Sequence, residues 1–230
     1  MKTIGMIGGM SWESTQSYYR LINQGVKARL GGLHSARICL YSVDFAPIAQ
    51  LQAEERWEEA GAMLADAARA VESAGAQGLL IATNTMHKVA DQVCAAVSIP
   101  LLHIADATAD RLLTDGVDKV ALLGTRFTME QAFYRQRLEQ QGINVIIPNE
   151  RQRDEVHRII YDELCQGRIE TPSRERYQQI IAELGFNGAE AVILGCTEIG
   201  LLLEPHHSAL PLYDTAAIHA EAAVAWALSP

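Results

Sequence analysis

Gly188-Ala189-Glu190-Ala191-Val192-Ile193-Leu194-Gly195-Cys196-Thr197-Glu198 repeats, 113 residues later, the stretch Gly75-Ala76-Gln77-Gly78-Leu79-Leu80-Ile81-Ala82-Thr83-Asn84-Thr85. Each copy opens on Gly-Ala and runs through a short apolar segment. Each then reaches a small hydroxyl or thiol residue eight positions after the first glycine: Thr83 in one, Cys196 in the other. The likeness extends in both directions. Gly8 follows a strand-like run at 2–7, and Gly124 follows one at 118–123, an offset of 116 residues. Downstream, Ser98-Ile99-Pro100-Leu101-Leu102 resembles Ala209-Leu210-Pro211-Leu212-Tyr213, with the prolines 111 apart. An offset that drifts so little across four markers is the trace of a duplication. Its unit exceeds the roughly 20–50 residues of a solenoid repeat and matches a small domain.

Strand and helix signals alternate around these markers. Apolar strands are expected at 2–7, 37–43, 79–82, 100–104, 117–123, 143–147, 191–194 and 210–213. Helices are expected at 11–30, 54–74, 85–97, 128–141, 150–166, 173–184 and 216–228. Ser11 or Ser14 can cap the first helix and Gly31-Gly32 can stop it. Such alternation predicts an α/β fold with mainly parallel sheets and helices on both faces. We therefore expect two similar α/β domains: residues 1–104 with 214–230, and residues 105–213.

Composition narrows the functions available. The 230 residues are 49% hydrophobic, enough for a sizeable core, and carry a net charge of −9. Nucleic acids and anionic membranes need clustered Lys and Arg, so neither is an expected partner. No apolar run approaches the ~20 residues of a membrane span. The amino-terminal apolar stretch is broken by Gly5, Gly8 and Gly9, unlike a signal peptide. The expected location is the cytoplasm. Cys39, Cys94, Cys165 and Cys196 form no Cys-x-x-Cys pair and read as free thiols. The first three lie in apolar patterns, as core cysteines do.

In parallel α/β sheets, ligands bind beyond the carboxyl ends of the strands. Gly8-Gly9-Met10-Ser11, Thr83-Asn84-Thr85, Gly124-Thr125-Arg126 and Cys196-Thr197-Glu198 all fall there, each before a helix whose free N–H groups suit a carboxylate or phosphate. Thr83-Asn84-Thr85 or Cys196-Thr197-Glu198 alone reads as a helix cap. At matched positions of a duplication they read as two walls of one site. A cysteine at a helix N-terminus is expected to have a lowered pKa. A thiolate facing a proton donor across a carbon atom is the acid–base arrangement that inversion of configuration requires.

These motifs, with Gly8-Gly9-Met10-Ser11-Trp12, Thr83-Asn84-Thr85-Met86-His87 and Gly195-Cys196-Thr197-Glu198, resemble the cofactor-independent aspartate/glutamate racemases over essentially the whole chain. Glu198 places the last motif with the aspartate-racemase branch, since the glutamate branch usually has His there. The resemblance implies pseudo-twofold-related domains with the site in the cleft between them, a homodimer, no pyridoxal phosphate, and a small amino-acid substrate; no cofactor is expected, since the two walls supply their own acid and base. It also implies a Cys on each side of the substrate Cα. Thr83 departs from that pattern. A hydroxyl is a poor base near neutral pH, so Cys196 is expected to take the proton from an L-amino acid, with Thr83 where the proton returns. Turnover from L to D should then exceed the reverse.

Asn84, Thr85 and Thr197 are expected to hold the α-carboxylate, with Met10, Ser11 and Glu198 lining the site. Gln52 matches a region that reads the substrate side chain. Arg56, Lys88, Arg126 and Arg168 are the candidates for holding a distal carboxylate. His87 lies on the face of Thr83, where it can orient the site or be a satisfied structural histidine. His206-His207 has no third ligand, so no metal site is expected.

Rival readings fare less well. A dinucleotide enzyme needs Gly-x-Gly-x-x-Gly after the first strand, which Gly5-Met6-Ile7-Gly8-Gly9 does not supply. A cysteine phosphatase needs an Arg-bearing cradle after its nucleophile, where this chain has Thr-Glu-Ile-Gly. A maleate isomerase, hydantoin racemase or arylmalonate decarboxylase shares the fold and cysteine positions, and fold does not separate them. A non-catalytic amino-acid-binding protein that has lost a base is the remaining alternative.

Overall fold

The computed structural model describes residues 1–230, and the chain divides into two compact units, residues 1–104 with 219–230 and residues 105–218. The first unit contains β1 (Ile4–Gly8), α1 (Trp12–Leu30), β2 (Ile38–Ser42), α2 (Phe45–Ala53), α3 (Trp57–Ser73), β3 (Gly78–Ile81), a 3-10 turn (Thr85–Val89) and α4 (Ala90–Ala95). Next come α5 (Ile104–Thr114), β4 (Lys119–Gly124), α6 (Arg126–Glu130), α7 (Ala132–Glu139), β5 (Asn144–Ile146), α8 (Glu150–Asp162) and α9 (Thr171–Phe186). The chain closes with β6 (Ala191–Gly195), α10 (Ile199–Leu202), β7 (Leu212–Asp214) and α11 (Thr215–Leu228). The fold is α/β. One sheet has the order β2-β1-β3 and the other β5-β4-β6-β7. Every strand pair is parallel. No helix is long and apolar enough to cross a membrane.

Parallel sheets covered on both faces bury their central strands, which therefore read as unbroken apolar runs. β1, β3 and β6 are buried at every residue. In the first unit, α3 lays Leu64, Ala68 and Val71 against Ile7, Leu79 and Ile81 of the sheet. Where β4 and β6 run side by side their ends are both glycine. A Cβ on Gly124 would sit 2.8 Å from Gly195 O, and one on Gly195 would sit 2.9 Å from Leu123 O. The backbones approach too closely there for any side chain.

Local capping explains where the sequence reading needs correction. Ser11 caps α1 as expected, its hydroxyl accepting Ser14 N–H, and Gly31 at φ 74° ends it. The expected helix at 54–74 begins only at Trp57, because a separate helix precedes it. Asp44 caps that earlier helix by accepting Ala46 N–H, and Glu55 at φ 57° turns the chain between the two. The helix expected at 128–141 splits at Gln131, whose ψ of 150° is extended. The helix expected at 85–97 starts as 3-10 and becomes α-helical at Ala90.

The strand expected at 100–104 shrinks to one bridge, Leu79 to Leu101. Two ladder bonds flank it, Leu79 N–H to Pro100 O and Leu102 N–H to Leu79 O, both 2.8 Å. Ile104 N–H donates to His87 Nε2 and begins α5 instead. Among the thiols, Cys94 is exposed rather than in the core, while Cys39 and Cys165 are half-buried.

Candidate active site

In the first unit, the end of β1 turns sharply into α1. A Cβ on Gly9 would lie 2.2 Å from Val43 O, and its φ of 95° is a region that side chains avoid. Thr15 fastens the turn: its Oγ1 accepts Gly9 N–H at 2.7 Å and donates to Ser11 O at 2.8 Å. Met10 and Ser11 are thereby held buried at the strand end. Met10 packs in the same apolar cluster as Met86 of the Thr83 segment. Gln52 on α2 is buried too, its amide donating to Met86 Sδ at 3.0 Å. Met10, Gln52 and Met86 thus converge around the end of β3. Thr83 there is half-exposed, while Asn84 and Thr85 are buried.

Behind Thr83 lies a polar chain that sequence reading only glimpsed. His87 Nδ1 is 2.8 Å from Thr83 O, and Ile104 N–H donates to His87 Nε2 at 3.3 Å. A carbonyl only accepts and a backbone N–H only donates, so His87 is the neutral tautomer with its proton on Nδ1. The same logic places the His219 proton on Nε2, donating to Leu102 O at 2.7 Å, with Tyr18 O–H donating to Nδ1 at 2.9 Å. Burial holds His219 down to about 4. His103 stacks edge-on against His87, with ring centres 4.4 Å apart. Tyr18 and His219 lie 201 residues apart in sequence; no local pattern joins them.

In the second unit, Cys196 follows β6 and is buried, 7% exposed. Its thiol donates to Glu198 Oε2 at 2.9 Å, and Thr197 O–H donates to the same oxygen at 2.9 Å. This overturns the expected lowering of the thiol pKa. Burial first, then the Glu198 carboxylate, push the Cys196 thiol well above its ordinary value. The helix that was to depress it, α10, is a single turn of four residues, too short to build a large dipole. At rest Cys196 carries its proton, and the adjacent carboxylate is placed to receive it.

Two further residues of this unit escaped the sequence reading. Tyr161 and His157 stand one turn apart on α8, rings 4.7 Å apart. Burial and the neighbouring Cys165, Cys196 and Glu198 push the Tyr161 phenol up, so it stays a hydroxyl donor. His157 Nδ1 accepts Arg126 N–H at 3.2 Å, tying α8 to the end of β4. Burial, then Arg126, lower its pKa. The i, i+4 spacing of His157 and Tyr161 was the available signal. It lay inside a charged helix with no visible tie to Cys196.

The four cations proposed for a distal carboxylate are placed as follows. Arg56 pairs with Glu54 and Glu59, Arg126 with Glu130 and Asp154, and Arg168 with Asp162 O. Lys88 sits 4.0 Å over the Trp57 ring. His206 and His207 belong to a surface turn, where Glu204 pairs with His206 at 3.4 Å.

A model of the Asp/Glu/hydantoin racemase family matches residues 7–223. The chain belongs to the Asp/Glu/hydantoin racemase family. This racemase-family chain is 56% identical to a Yersinia pestis protein proposed to be an Asp/Glu racemase, with all of both chains covered and a TM-score of 0.92. It is 36% identical to an aspartate racemase homologue from Pyrococcus horikoshii OT3, again covering all of both chains, with a TM-score of 0.86. It is also 26% identical over 163 residues to the broad-specificity amino-acid racemase RacX of Bacillus subtilis (strain 168), covering 69% of this chain and 68% of that protein. The family assignment makes the chain an isomerase.

Proposed function

We propose that this racemase inverts Cα of an amino acid without a cofactor, Cys196 removing the proton from the L-enantiomer and Thr83 marking the opposite face, where a proton returns. The observation that carries this reading is the Cys196–Glu198 contact of 2.9 Å at a strand end, matched in the duplicated framework by Thr83. In the first step the Cys196 proton passes to Glu198 Oε2, leaving a thiolate. The thiolate takes the Cα proton, and the electron pair spreads into the substrate carboxylate. A proton then arrives on the other face from the Thr83 hydroxyl or a water it holds, and is replaced from solvent at that half-exposed side; Cys196 keeps the proton taken from Cα, and Glu198 gives its proton up to solvent to complete the cycle. Glu198, first read as a lining residue, becomes the proton acceptor for the thiol. Asn84, Thr85 and Thr197 hold the α-carboxylate, while Met10, Ser11 and Gln52 shape the pocket. Residues 1–104 with 214–230 and residues 105–213 act as the two functional halves.

An acidic amino acid is the first substrate to test, given the aspartate racemase homologue and the Asp/Glu racemase candidate among the relatives. The racemase works as a cytoplasmic homodimer in this reading. Direction follows from chemistry. Each pKa unit separating two groups is worth about 1.4 kcal/mol between their protonation states, and a hydroxyl is many units a weaker acid than a thiol. The equilibrium between free enantiomers stays at unity, so the asymmetry resides in rates and binding.

The test is the initial rate from L- and D-aspartate in deuterated buffer, with a panel of other amino acids alongside. L-aspartate should gain deuterium and convert to D much faster than D converts to L, and Thr83→Cys should raise D-to-L turnover. Equal rates from both enantiomers, or no gain in the variant, would remove Thr83 from the second wall. Absence of Cα exchange across the panel would leave a binding protein.

A further inference from the structure

The turn after β3 and the turn after β6 have the same origin but different supports. His87 corresponds to Gly200 in the second copy, at the 113-residue offset that relates Thr83 to Cys196. His103 corresponds to Asp214, and Ile104 to Thr215, at the proline offset of 111. In the second unit, the Asp214 carboxylate caps α11 by accepting Ala216 N–H at 2.9 Å and Ala217 N–H at 3.2 Å. A Cβ on Gly200 would sit 2.6 Å from that carboxylate, so no side chain fits there. In the first unit the imidazole of His87 takes over the capping, accepting the first N–H of α5 from Ile104. Capping alone needs only an acceptor, as Asp214 demonstrates. The imidazole adds a donor on its other edge, and that donor reaches Thr83 O.

The second copy folds through its own strand-end turn without an imidazole, Ile199 N–H closing on Cys196 O at 3.0 Å. The turn geometry therefore does not require one. We propose that His87 is a positioning residue for the Thr83 side of the reaction: its Nδ1–H, fixed as a donor because Ile104 occupies Nε2, holds the Thr83 carbonyl and so sets where the Thr83 hydroxyl points. This rests on the reading of Thr83 as the face of proton return. A half-exposed Thr at the end of a strand turns about its backbone unless the peptide is held. One bond from a buried ring, itself 3% exposed, supplies the hold.

Two substitutions separate the edges of the ring. His87→Asn keeps a donor near the Nδ1 position and loses the acceptor for Ile104. His87→Gln keeps an acceptor near the Nε2 position and loses the donor to Thr83. Each forfeits one hydrogen bond, so their costs to folding are matched. With L-aspartate in deuterated buffer, two quantities are read: D-aspartate formed, and deuterium gained by the L-aspartate that remains. Their ratio reports return from the Thr83 face against return from the Cys196 face.

In His87→Gln this ratio should fall on the order of tenfold, while His87→Asn should stay within about twofold of the parent, as expected when one contact sets the alignment of a reacting group. Deuterium entry into L-aspartate should persist in both, because Cys196 is untouched. An unchanged ratio in His87→Gln, an equal fall in both variants, or failure of either to fold would overturn the proposal and assign His87 to the framework. A parent that neither inverts L-aspartate nor exchanges its Cα hydrogen removes the underlying racemase reading first, and this proposal with it. That result is visible before any His87 variant is made.

Discussion

The two units carry the same backbone plan down to individual hydrogen bonds, yet they hold their key side chains in opposite surroundings. Gln77 N–H donates to Thr3 O in one, and Glu190 N–H donates to Lys119 O in the other. Leu79 bonds Pro100 O at 2.8 Å, and Val192 bonds Pro211 O at 2.9 Å. Against this shared frame, Cys196 is buried on a carboxylate, while Thr83 is half-exposed in front of a cluster of buried imidazoles. A duplicated fold thus preserves where a strand end points while leaving free what chemistry it presents. Hydrogen bonds between backbones do not depend on side chains, but protonation depends on the burial and the donors and acceptors around each group.

The largest effect expected from breaking this contrast is at Cys196. Cys196→Ser should lower both racemisation and Cα exchange of L-aspartate by about a thousandfold or more, within the range assigned to positioned acid–base groups, with the circular dichroism spectrum unchanged. Activity within a few-fold of the parent would place the base elsewhere.

Next is its carboxylate. Glu198→Gln removes the proton acceptor and should lower turnover by about a hundredfold. It also removes a negative charge that raises the thiol pKa, so the pH midpoint for alkylation of Cys196 should move down. A midpoint that stays or rises would show that burial alone sets the thiol.

The imidazole cluster predicts that the first unit is the more acid-sensitive one, although burial also lowers His157 in the second. Burial lowers His219 to about 4, below the ~6.5 of an unfolded histidine. The unfolded chain then binds more protons between those values, so stability is fully present above about pH 6.5 and is lost as pH falls toward 4. The loss amounts to about 3 kcal/mol. Hydrogen exchange at pH 5 should accelerate around Tyr18, His219 and Leu102 before it does in β4 and β6. His219→Gln should flatten this part of the stability–pH curve. Equal loosening of both sheets would break the contrast.

The smallest effect concerns the strand ends themselves. Ala82 occupies the position that Gly195 occupies in the second copy. Gly195→Ala would bring its Cβ within 2.7 Å of Leu122 Cδ1, costing about 1–3 kcal/mol as overpacking does. Ala82→Gly should cost about 1 kcal/mol or less from added chain entropy. Thermal melts of the two variants measure the difference, and equal shifts would mean that the two strand ends are packed alike.

Much of this was legible in the chain. The apolar runs at 79–82 and 191–194 located β3 and β6, because strands buried on both faces leave no room for polar residues. Ser11 and Gly31 located α1 through its caps. The helix at 45–53 was not expected: its sign in the sequence is a single cap, Asp44, before a run of only nine residues. The strand at 100–104 was misread because Leu101, Leu102 and Ile104 are as apolar as a strand. In the fold, Ile104 N–H turns to the distant His87 and α5 begins there instead.

By itself, the sequence determined the α/β class, the duplication, and the placement of Thr83 and Cys196 at matching strand ends. Those follow from periodicity, glycine spacing and the geometry of parallel sheets, all properties of short stretches. Tertiary structure alone decided the state of each group. Cys196 was expected to be an activated thiolate and is instead a buried, protonated thiol on Glu198. The His87 tautomer is settled by Ile104, and the neutrality of His219 by burial against Tyr18 and Leu102. A pKa or a tautomer is set by desolvation and by the donors and acceptors within a few ångströms. In this fold those neighbours come from as far as 201 residues away along the chain.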